Sequence, residues 1–581
     1  MDGAATCSKN PPLIDRCLSI DLEVDPVQAQ IFAFAAVRHG DDEKIVYRRG
    51  SRELAFDKLE DLASRSDFLL GHNILRFDLP HLISVRPRIA QLAAKAIDTL
   101  WLNPLAFPRN PYHHLVKHHH DGRLQAGHVN DPELDARLVL EVLANQISAL
   151  TSLDLENPNA LLAYHYLTTR MPAADGFDAL FSNIRGDRRP DSAQAANAFT
   201  SLLDGRACRH RIGEALERCS SPQLGWPMAY ALSWISVAGG DSVMAPWIRR
   251  QFKEASCIVR DLRDQACDDS GCHWCRERND PKRALSRWFG FDSFRPEPKD
   301  AAGRPLQERI VAEAFAGRSV LGILPTGTGK SVCYQIPALA RFDKIGALSV
   351  VISPLVALMA DQVQGLARHG ISGCVTINGL LSMPERQAAL DQVRLGDAAM
   401  LLISPEQLRS PSVRSVLAQR EIGYWILDEA HCVSKWGHDF RPDYRYIARF
   451  IREYSGDDDP APVVCLTATA KPEVVRDIRD HFQSRLGVEL VLLDGGSTRQ
   501  NLTFEVRETN RSRKLADIFE SIERALPSDG MSGAVVYCST RSATERVSEF
   551  LKNQGLAADF FHAGLTPERK KEVQERFRVG E

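Results

Sequence analysis

The chain has 581 residues, 44% of them hydrophobic and 25% charged, which suits three or four folded domains of about 100–200 residues each. Its net charge of −3 excludes a global basic field, so any polyanion must be held by local patches. No apolar run reaches the roughly 18 residues of a membrane span, and the start, MDGAATCSKNPP, lacks a signal-peptide core. No membrane partner is expected, and the expected location is the cytoplasm (nucleoid) of a bacterium or the nucleus of a eukaryote. Thirteen cysteines without an export signal point to reduced thiols and a metal site instead of a disulfide framework.

Cys17 to Val24, CLSIDLEV, alternates as a half-buried strand, with Leu18, Ile20, Leu22 and Val24 on one face and Ser19, Asp21 and Glu23 on the other. Two carboxylates side by side repel unless a cation lies between them; otherwise the face is simply solvated. A strand-like DFLLG leads into GHNILRFDLPHL, which carries Asp78. Asp131 to Ile147 places Leu134, Leu138, Val142 and Ile147 near helical spacing, with Asp135 at the helix start.

Together these segments, from about Leu13 to Leu150, resemble the DEDD 3′–5′ exonucleases, which have an RNase H-like fold. The match is Asp-x-Glu at Asp21 and Glu23, Asn-x3-Phe-Asp ending at Asp78, IDTLWL from Ile97, and Asp135 on its helix. The resemblance implies two Mg²⁺ or Mn²⁺ ions held by Asp21, Glu23, Asp78 and Asp135, about 3.5–4 Å apart. It departs at the general base. Asn130 stands where one subclass has His, and Asp131 where the other has Tyr, which leaves His128 as the substitute. The histidine-rich run of His113, His114 and His118 to His120 reads as a polar loop or helix near that site; an i, i+4 pair such as His114 and His118 is the metal-binding alternative.

Residues 151–256 read as helices, with RGDRRPDSAQ (Arg185 to Gln194) as a flexible linker and GWPMAYALSWISVAGG as a buried helix. In 257–285, Cys257, Cys267, Cys272 and Cys275 include a CxxC knuckle and suit Zn²⁺ or a [4Fe–4S] cluster, with His273 as a possible replacement ligand. Arg260, Arg263, Arg276, Arg278, Lys282 and Arg283 surround them, suited either to DNA phosphate or to solvent.

In residues 286–497, SVLGILPTGTGKSVCYQ predicts a buried strand from Val320 to Leu324, a glycine-rich loop and a helix N-terminus. Such a turn cradles phosphate: Thr326, Gly327, Thr328 and Gly329 would offer backbone N–H groups, Lys330 would reach the β/γ-phosphates, and Ser331 would ligate Mg²⁺. Short apolar strands with polar ends follow, as a buried parallel sheet requires. LSVVISPLVALMADQV contains Ser353, Pro354, Leu355, Asp361 and Gln362, and LLISPEQL spans Leu401 to Leu408. YWILDEAH contains Asp428, Glu429 and His431. CVSKWGHDFRPDY contains Trp436, His438, Phe440, Arg441 and Tyr444, and LTATA spans Leu466 to Ala470.

This order resembles the superfamily 2 helicases, and the RecQ family in particular. The resemblance implies Mg²⁺ held through water at Asp428, a catalytic carboxylate at Glu429, coupling of ATP state to the DNA face at His431, and DNA contacts at Ser353, Pro354 and the aromatic-rich loop. WFGFDSFR, Trp288 to Arg295, resembles the family's adenine-recognition motif, with Gln307 as its glutamine; Pro296 to Gly303 is extra, so Arg295 and Arg304 compete for the arginine role. In 498–581, GAVVYCSTR (Gly533 to Arg541) is expected to begin a second sheet, and FFHAGL resembles the next RecQ block. Motifs V and VI and the arginine finger do not follow, which predicts weak ATP hydrolysis from this chain alone.

The expected class is thus a multidomain α/β protein: an RNase H-like exonuclease domain (1–150), a helical linker (151–256), a four-Cys module (257–285), a RecA-like helicase domain (286–497) and the start of a second RecA-like domain (498–581). In this Werner-like domain order, ATP, Mg²⁺ or Mn²⁺ and Zn²⁺ or [4Fe–4S] are the cofactors, and single-stranded or forked DNA is the partner. The rival expectation is an ATP-gated clamp on DNA whose nuclease-like domain only senses ends.

Overall fold

The computed structural model describes residues 12–580 except 26, 40–42, 111–130, 172–173, 219–220, 238–243, 301, 437–439, 469–470, 497–501 and 527–531. His128, Asn130, the histidine-rich run and His438 lie outside the described residues. The chain divides into two compact units, Met1–Thr498 and Arg499–Glu581.

The first sheet of the larger unit contains β1 (Cys17–Val24), β2 (Ile31–Arg38), β3 (Lys44–Tyr47), β4 (Phe68–Gly71) and β5 (Ala96–Asp98), in the order β3-β2-β1-β4-β5. β1 and β3 run antiparallel to β2, whereas β4 and β5 run parallel to β1. Both faces of β1 are covered. Leu18, Ile20 and Leu22 pack with Phe34, Phe56 and Leu59, while Cys17 faces the helix Pro132–Glu156, whose Ala136 carbonyl accepts from Ser19 Oγ at 2.7 Å. That helix is long and apolar enough to cross a membrane by composition, with mean hydropathy 1.3. Ala136, Val139, Leu140, Leu143 and Leu150 instead join it to the sheet's core.

The helices that follow share this core, and Gly225–Val237 is buried almost throughout, as its apolar sequence predicts. Gly176 begins a helix so close to β5 that a Cβ there would stand 2.5 Å from the Ala96 carbonyl oxygen. Arg185 to Gln194 differs from expectation. It is a short connection between two helices, held by a capping box of Asp191 and Gln194 and by a bond from Arg185 to His165 at 2.9 Å. Local side-chain hydrogen bonds there fix a segment whose composition alone reads as loose.

The second sheet is wholly parallel. It contains β6 (Val320–Ile323), β7 (Leu348–Ile352), β8 (Cys374–Ile377), β9 (Met400–Ile403), β10 (Ile422–Leu427), β11 (Val463–Thr467) and β12 (Val491–Asp494), in the order β12-β6-β11-β10-β7-β9-β8. The residues of β6, β7, β9, β10 and β11 are all buried, as strands covered on both faces require. The functional loops leave their carboxyl ends.

The smaller unit has helices Lys514–Ala525, Arg541–Asn553 and Pro567–Val579, the first two packed about Ile522, Val547 and Leu551. Gly533 to Arg541 forms no strand there, contrary to expectation. A parallel strand exists only by pairing, no paired strand lies among this unit's described residues, and Val535 and Tyr537 remain exposed.

Candidate nucleotide, metal and nucleic-acid sites

β6 delivers the chain into the loop Pro325 to Lys330, and the helix Val332–Ile345 continues from it, capped at Ser331. Gly327 (φ +88°) and Gly329 (φ +78°) take the left-handed conformation that turns a loop's N–H groups toward one point. Thr326 and Gly327 are exposed at the mouth. Lys330 Nζ lies 2.6 Å from Glu429 Oε1 and 3.2 Å from Asp428 Oδ1. Burial lowers the lysine's affinity for its proton, but the two carboxylates outweigh that and raise it. Burial pushes the Asp428 carboxyl up. The Glu429 carboxyl is also raised by burial, but bonding to His431 and the charge of Lys330 win and bring it to about 2. Glu429 is one of few non-glycine residues with a left-handed backbone, at φ +49°, a strained setting that aims its side chain back into the site.

Three further contacts tie this pocket together. Gln362 donates to Ser331 Oγ at 2.9 Å and accepts from the Tyr334 hydroxyl at 2.5 Å, so this residue of the segment after β7 serves the phosphate loop. His431 Nδ1 lies 2.9 Å from Thr467 Oγ1 and joins the DEAH turn to LTATA. Arg295 Nη1 donates to the Gly327 carbonyl at 2.6 Å, and its backbone N–H donates to Gln307 Oε1; Gln307 Nε2 donates to the Thr328 and Gly329 carbonyls. Arg304 is turned away and pairs with Asp300. Arg295 therefore occupies the loop-facing position that two arginines contested.

On the expected DNA face, Trp436 is 75% exposed and Phe440 half-buried, while Arg441 donates to the Pro354 carbonyl at 3.0 Å. Tyr444 corrects the sequence reading. It is fully buried, and its hydroxyl donates to the Asp428 carbonyl at 2.9 Å. No base can stack on a ring packed between the ends of β7 and β10. Ser353 is likewise buried at the end of β7, whereas Leu355, 45% exposed, stands open beside it.

In the first sheet, carboxylate oxygens of Asp21, Glu23 and Asp135 lie within 4.8 Å of one another. β1 supplies the first two, and the first turn of the helix Pro132–Glu156 supplies the third. Asp78 stands outside this trio. It is 3% exposed, accepts from the Leu22 N–H at 3.1 Å, and is pushed by burial to about 8. Asp98, from IDTLWL, caps the next helix and accepts N–H groups from Asn73, Leu75 and Leu100. Three converging acids are the donor set of a hard divalent cation.

The cysteines converge, but not as the sequence spacing implies. Sulfurs of Cys208, Cys267, Cys272 and Cys275 lie within 4.8 Å of one another. Cys257 is not among them; it is exposed, beside Arg260 Nη2 at 3.4 Å, on a cleft of about 630 Å³. The helix Lys253–Arg263 buries Ile258, Val259 and Leu262, and that stripe leaves Cys257 on another face. Cys208 is brought in by its own N–H, which donates to the Leu262 carbonyl at 2.8 Å. A lone cysteine before a basic helix carries no spacing signal, so sequence reasoning missed it. The surrounding cations are also engaged within the protein: Arg260 with Glu421, Arg278 with Asp343, Lys282 with Glu308 and Arg283 with Glu277.

Comparison with known proteins bears on the second sheet. The DEAD/DEAH box helicase family model matches residues 304–478. The ATP-dependent DNA helicase RecQ of Bacillus subtilis is 37% identical over 295 residues, covering 50% of this chain and 45% of that protein. The RecQ-like DNA helicase blm-1 of Caenorhabditis elegans is 32% identical over 324 residues, covering 55% and 30%. The chain thus spans less than half the length of either relative. Among solved structures, the DEAD-box helicase Mss116 bound to ssRNA and UDP-BeF overlaps with TM-score 0.37 and 18% identity, covering 47% of this chain and 58% of that one. Residues 304–478 match the DEAD/DEAH box helicase family model, within a half of the chain that is similar to RecQ helicases.

Proposed function

We propose that the chain is the ATP-driven, 3′–5′ tracking part of a RecQ-type DNA helicase, joined to a metal-dependent 3′–5′ exonuclease, acting on single-stranded or forked DNA in repair or defence. The observation that carries the motor reading is the convergence of Lys330, Asp428 and Glu429 at the carboxyl end of β6 and β10, with His431 linked to Thr467. Bound Mg²⁺ would supply neutralisation of phosphate charge. Lys330 would turn from the two acids to the β/γ-phosphates, Ser331 and Asp428 would hold the metal, and Glu429 would orient and deprotonate the attacking water. Its low proton affinity in the present arrangement comes from bonding to His431 and from the charge of Lys330, and the second part is lost once Lys330 turns to phosphate.

Support for the nuclease comes from the acid trio at Asp21, Glu23 and Asp135, whose mutual repulsion a divalent cation relieves. The clamp reading is favoured by Asp78, whose carboxyl faces the Leu22 N–H. One experiment addresses both. The purified chain is incubated with 3′-labelled single strand and Mn²⁺, with and without ATP. The proposal expects loss of label that disappears in Asp21→Ala, and weak phosphate release that disappears in Lys330→Ala. ATP-dependent binding with the label intact supports the clamp.

A further inference from the structure

The four convergent thiols are not disulfide-bonded, and three of them, Cys208, Cys272 and Cys275, are buried. Cys272 Sγ stands 3.9 Å from Cys208 Sγ, and Cys275 Sγ accepts the Cys267 N–H at 3.4 Å. Four thiolates around one tetrahedral Zn²⁺, with Zn–S of about 2.3 Å, have sulfur–sulfur edges of about 3.8 Å. In a [4Fe–4S] cluster each thiolate binds a different iron, so the sulfurs stand wider apart than the edges of a single-ion cage. The observed cage has single-ion dimensions.

What the cage holds is equally specific. Trp274, inside the CxxC turn, donates from Nε1 to the Arg263 carbonyl at 3.1 Å, and the guanidinium of Arg263 lies 4.7 Å over its ring. Arg263 Nη2 then donates to the Asp343 carbonyl at 3.2 Å, and Asp264 pairs with Lys344 at 2.5 Å and Arg341 at 2.9 Å. Arg278 pairs with Asp343, and Lys344 donates to Asn279 at 2.9 Å. Arg341, Asp343 and Lys344 are the last turns of Val332–Ile345, the helix that begins at the phosphate loop. Lys344 is 2% exposed, and a buried ammonium needs its partners held in place.

We propose that Cys208, Cys267, Cys272 and Cys275 bind one Zn²⁺, and that this ion locks residues 263–287 as a brace on the far end of the phosphate-loop helix. The inference rests on the four-thiolate site alone, not on helicase or nuclease activity, so a failed activity assay leaves it standing. The cage loses its tetrahedron without Cys208 and is indifferent to Cys257.

The test uses the full chain. Elemental analysis is expected to find one zinc per chain without iron or acid-labile sulfide, and Co²⁺-exchanged protein to show the d–d bands of tetrahedral sulfur coordination. Cys257→Ser retains the zinc and the Co²⁺ spectrum; Cys208→Ser loses both. Because Cys208→Ser can also fail to fold, zinc is displaced from the unaltered chain with a mercurial and followed by hydrogen exchange. Release is expected to raise exchange in 263–287 and in Val332–Ile345, with β1 unchanged. Iron with labile sulfide, zinc loss from Cys257→Ser, or unaltered exchange in Val332–Ile345 after release would each overturn the proposal.

Discussion

Lys330 Nζ sits 2.6 Å from Glu429 Oε1, so the loop lysine and the DEAH glutamate neutralise each other across the place where phosphate binds. Glu429 holds its proton less tightly folded, at about 2, than unfolded, at 4.5. The stabilisation from the His431 and Lys330 contacts of this carboxylate is therefore complete above about pH 4.5 and is lost as pH falls toward 2. Glu429→Gln should melt a few degrees below the unaltered chain at neutral pH, and the gap should close in acid. The same variant should abolish ATP turnover while binding ATP at least as tightly, because one competitor for Lys330 is gone. Melting curves against pH and nucleotide titration check both parts.

The nucleotide loop is held from behind by Gln307 and Arg295. Alanine at Gly329 would need φ near +78° and place its Cβ 2.8 Å from Gln307 Nε2. The left-handed conformation alone costs about 1–2 kcal/mol, so Gly329→Ala should weaken ATP binding about tenfold or more. Gln307→Ala removes that clash, so the double variant should lose less than the sum of the two single losses, measurable by nucleotide titration. Independent, additive losses would contradict the geometry.

Two aromatic residues that look alike in sequence should behave differently. Trp436→Ala removes an exposed ring and should weaken single-strand binding by about 1–3 kcal/mol, without changing the melting temperature. Tyr444→Phe removes a buried hydroxyl from the Asp428 carbonyl and should cost about 1 kcal/mol of stability, with DNA affinity unchanged. Fluorescence anisotropy and thermal melts separate the two effects.

The acid trio makes a signed prediction. With no cation, Asp21, Glu23 and Asp135 repel, so Asp21→Asn should raise the melting temperature of metal-free protein. Added Mn²⁺ should stabilise the unaltered chain by mass action and the variant much less. Equal Mn²⁺-induced shifts in both would remove the metal from this site.

What the sequence made readable was local. The strand, turn and helix around Lys330 lie within one stretch, and Asp21 and Glu23 share a strand face by simple alternation. Legibility failed where partners come from afar. Cys208 joins its three fellows only because Leu262 receives its N–H. Arg304 is diverted by a turn in which Asp300 accepts the Ala302 and Arg304 N–H groups. Tyr444 is spaced like a base-stacking ring, yet the ends of two strands enclose it. Gly533 to Arg541 has the apolar character of a strand, but that character cannot supply the neighbour that pairing requires.

The shared core of the first sheet and the helices after it has a practical consequence for anyone dissecting this polypeptide. Leu102, Leu105 and Val139 meet Tyr164, Phe181 and Trp226 in one hydrophobic cluster, and Tyr230 donates to the Trp101 carbonyl at 3.1 Å. A fragment ended at residue 150 would bare that greasy seam to water and invite aggregation. The same cluster continues through Leu262 to Ile345 and Ala347, so a cut after the helix Lys253–Arg263 would open it as well.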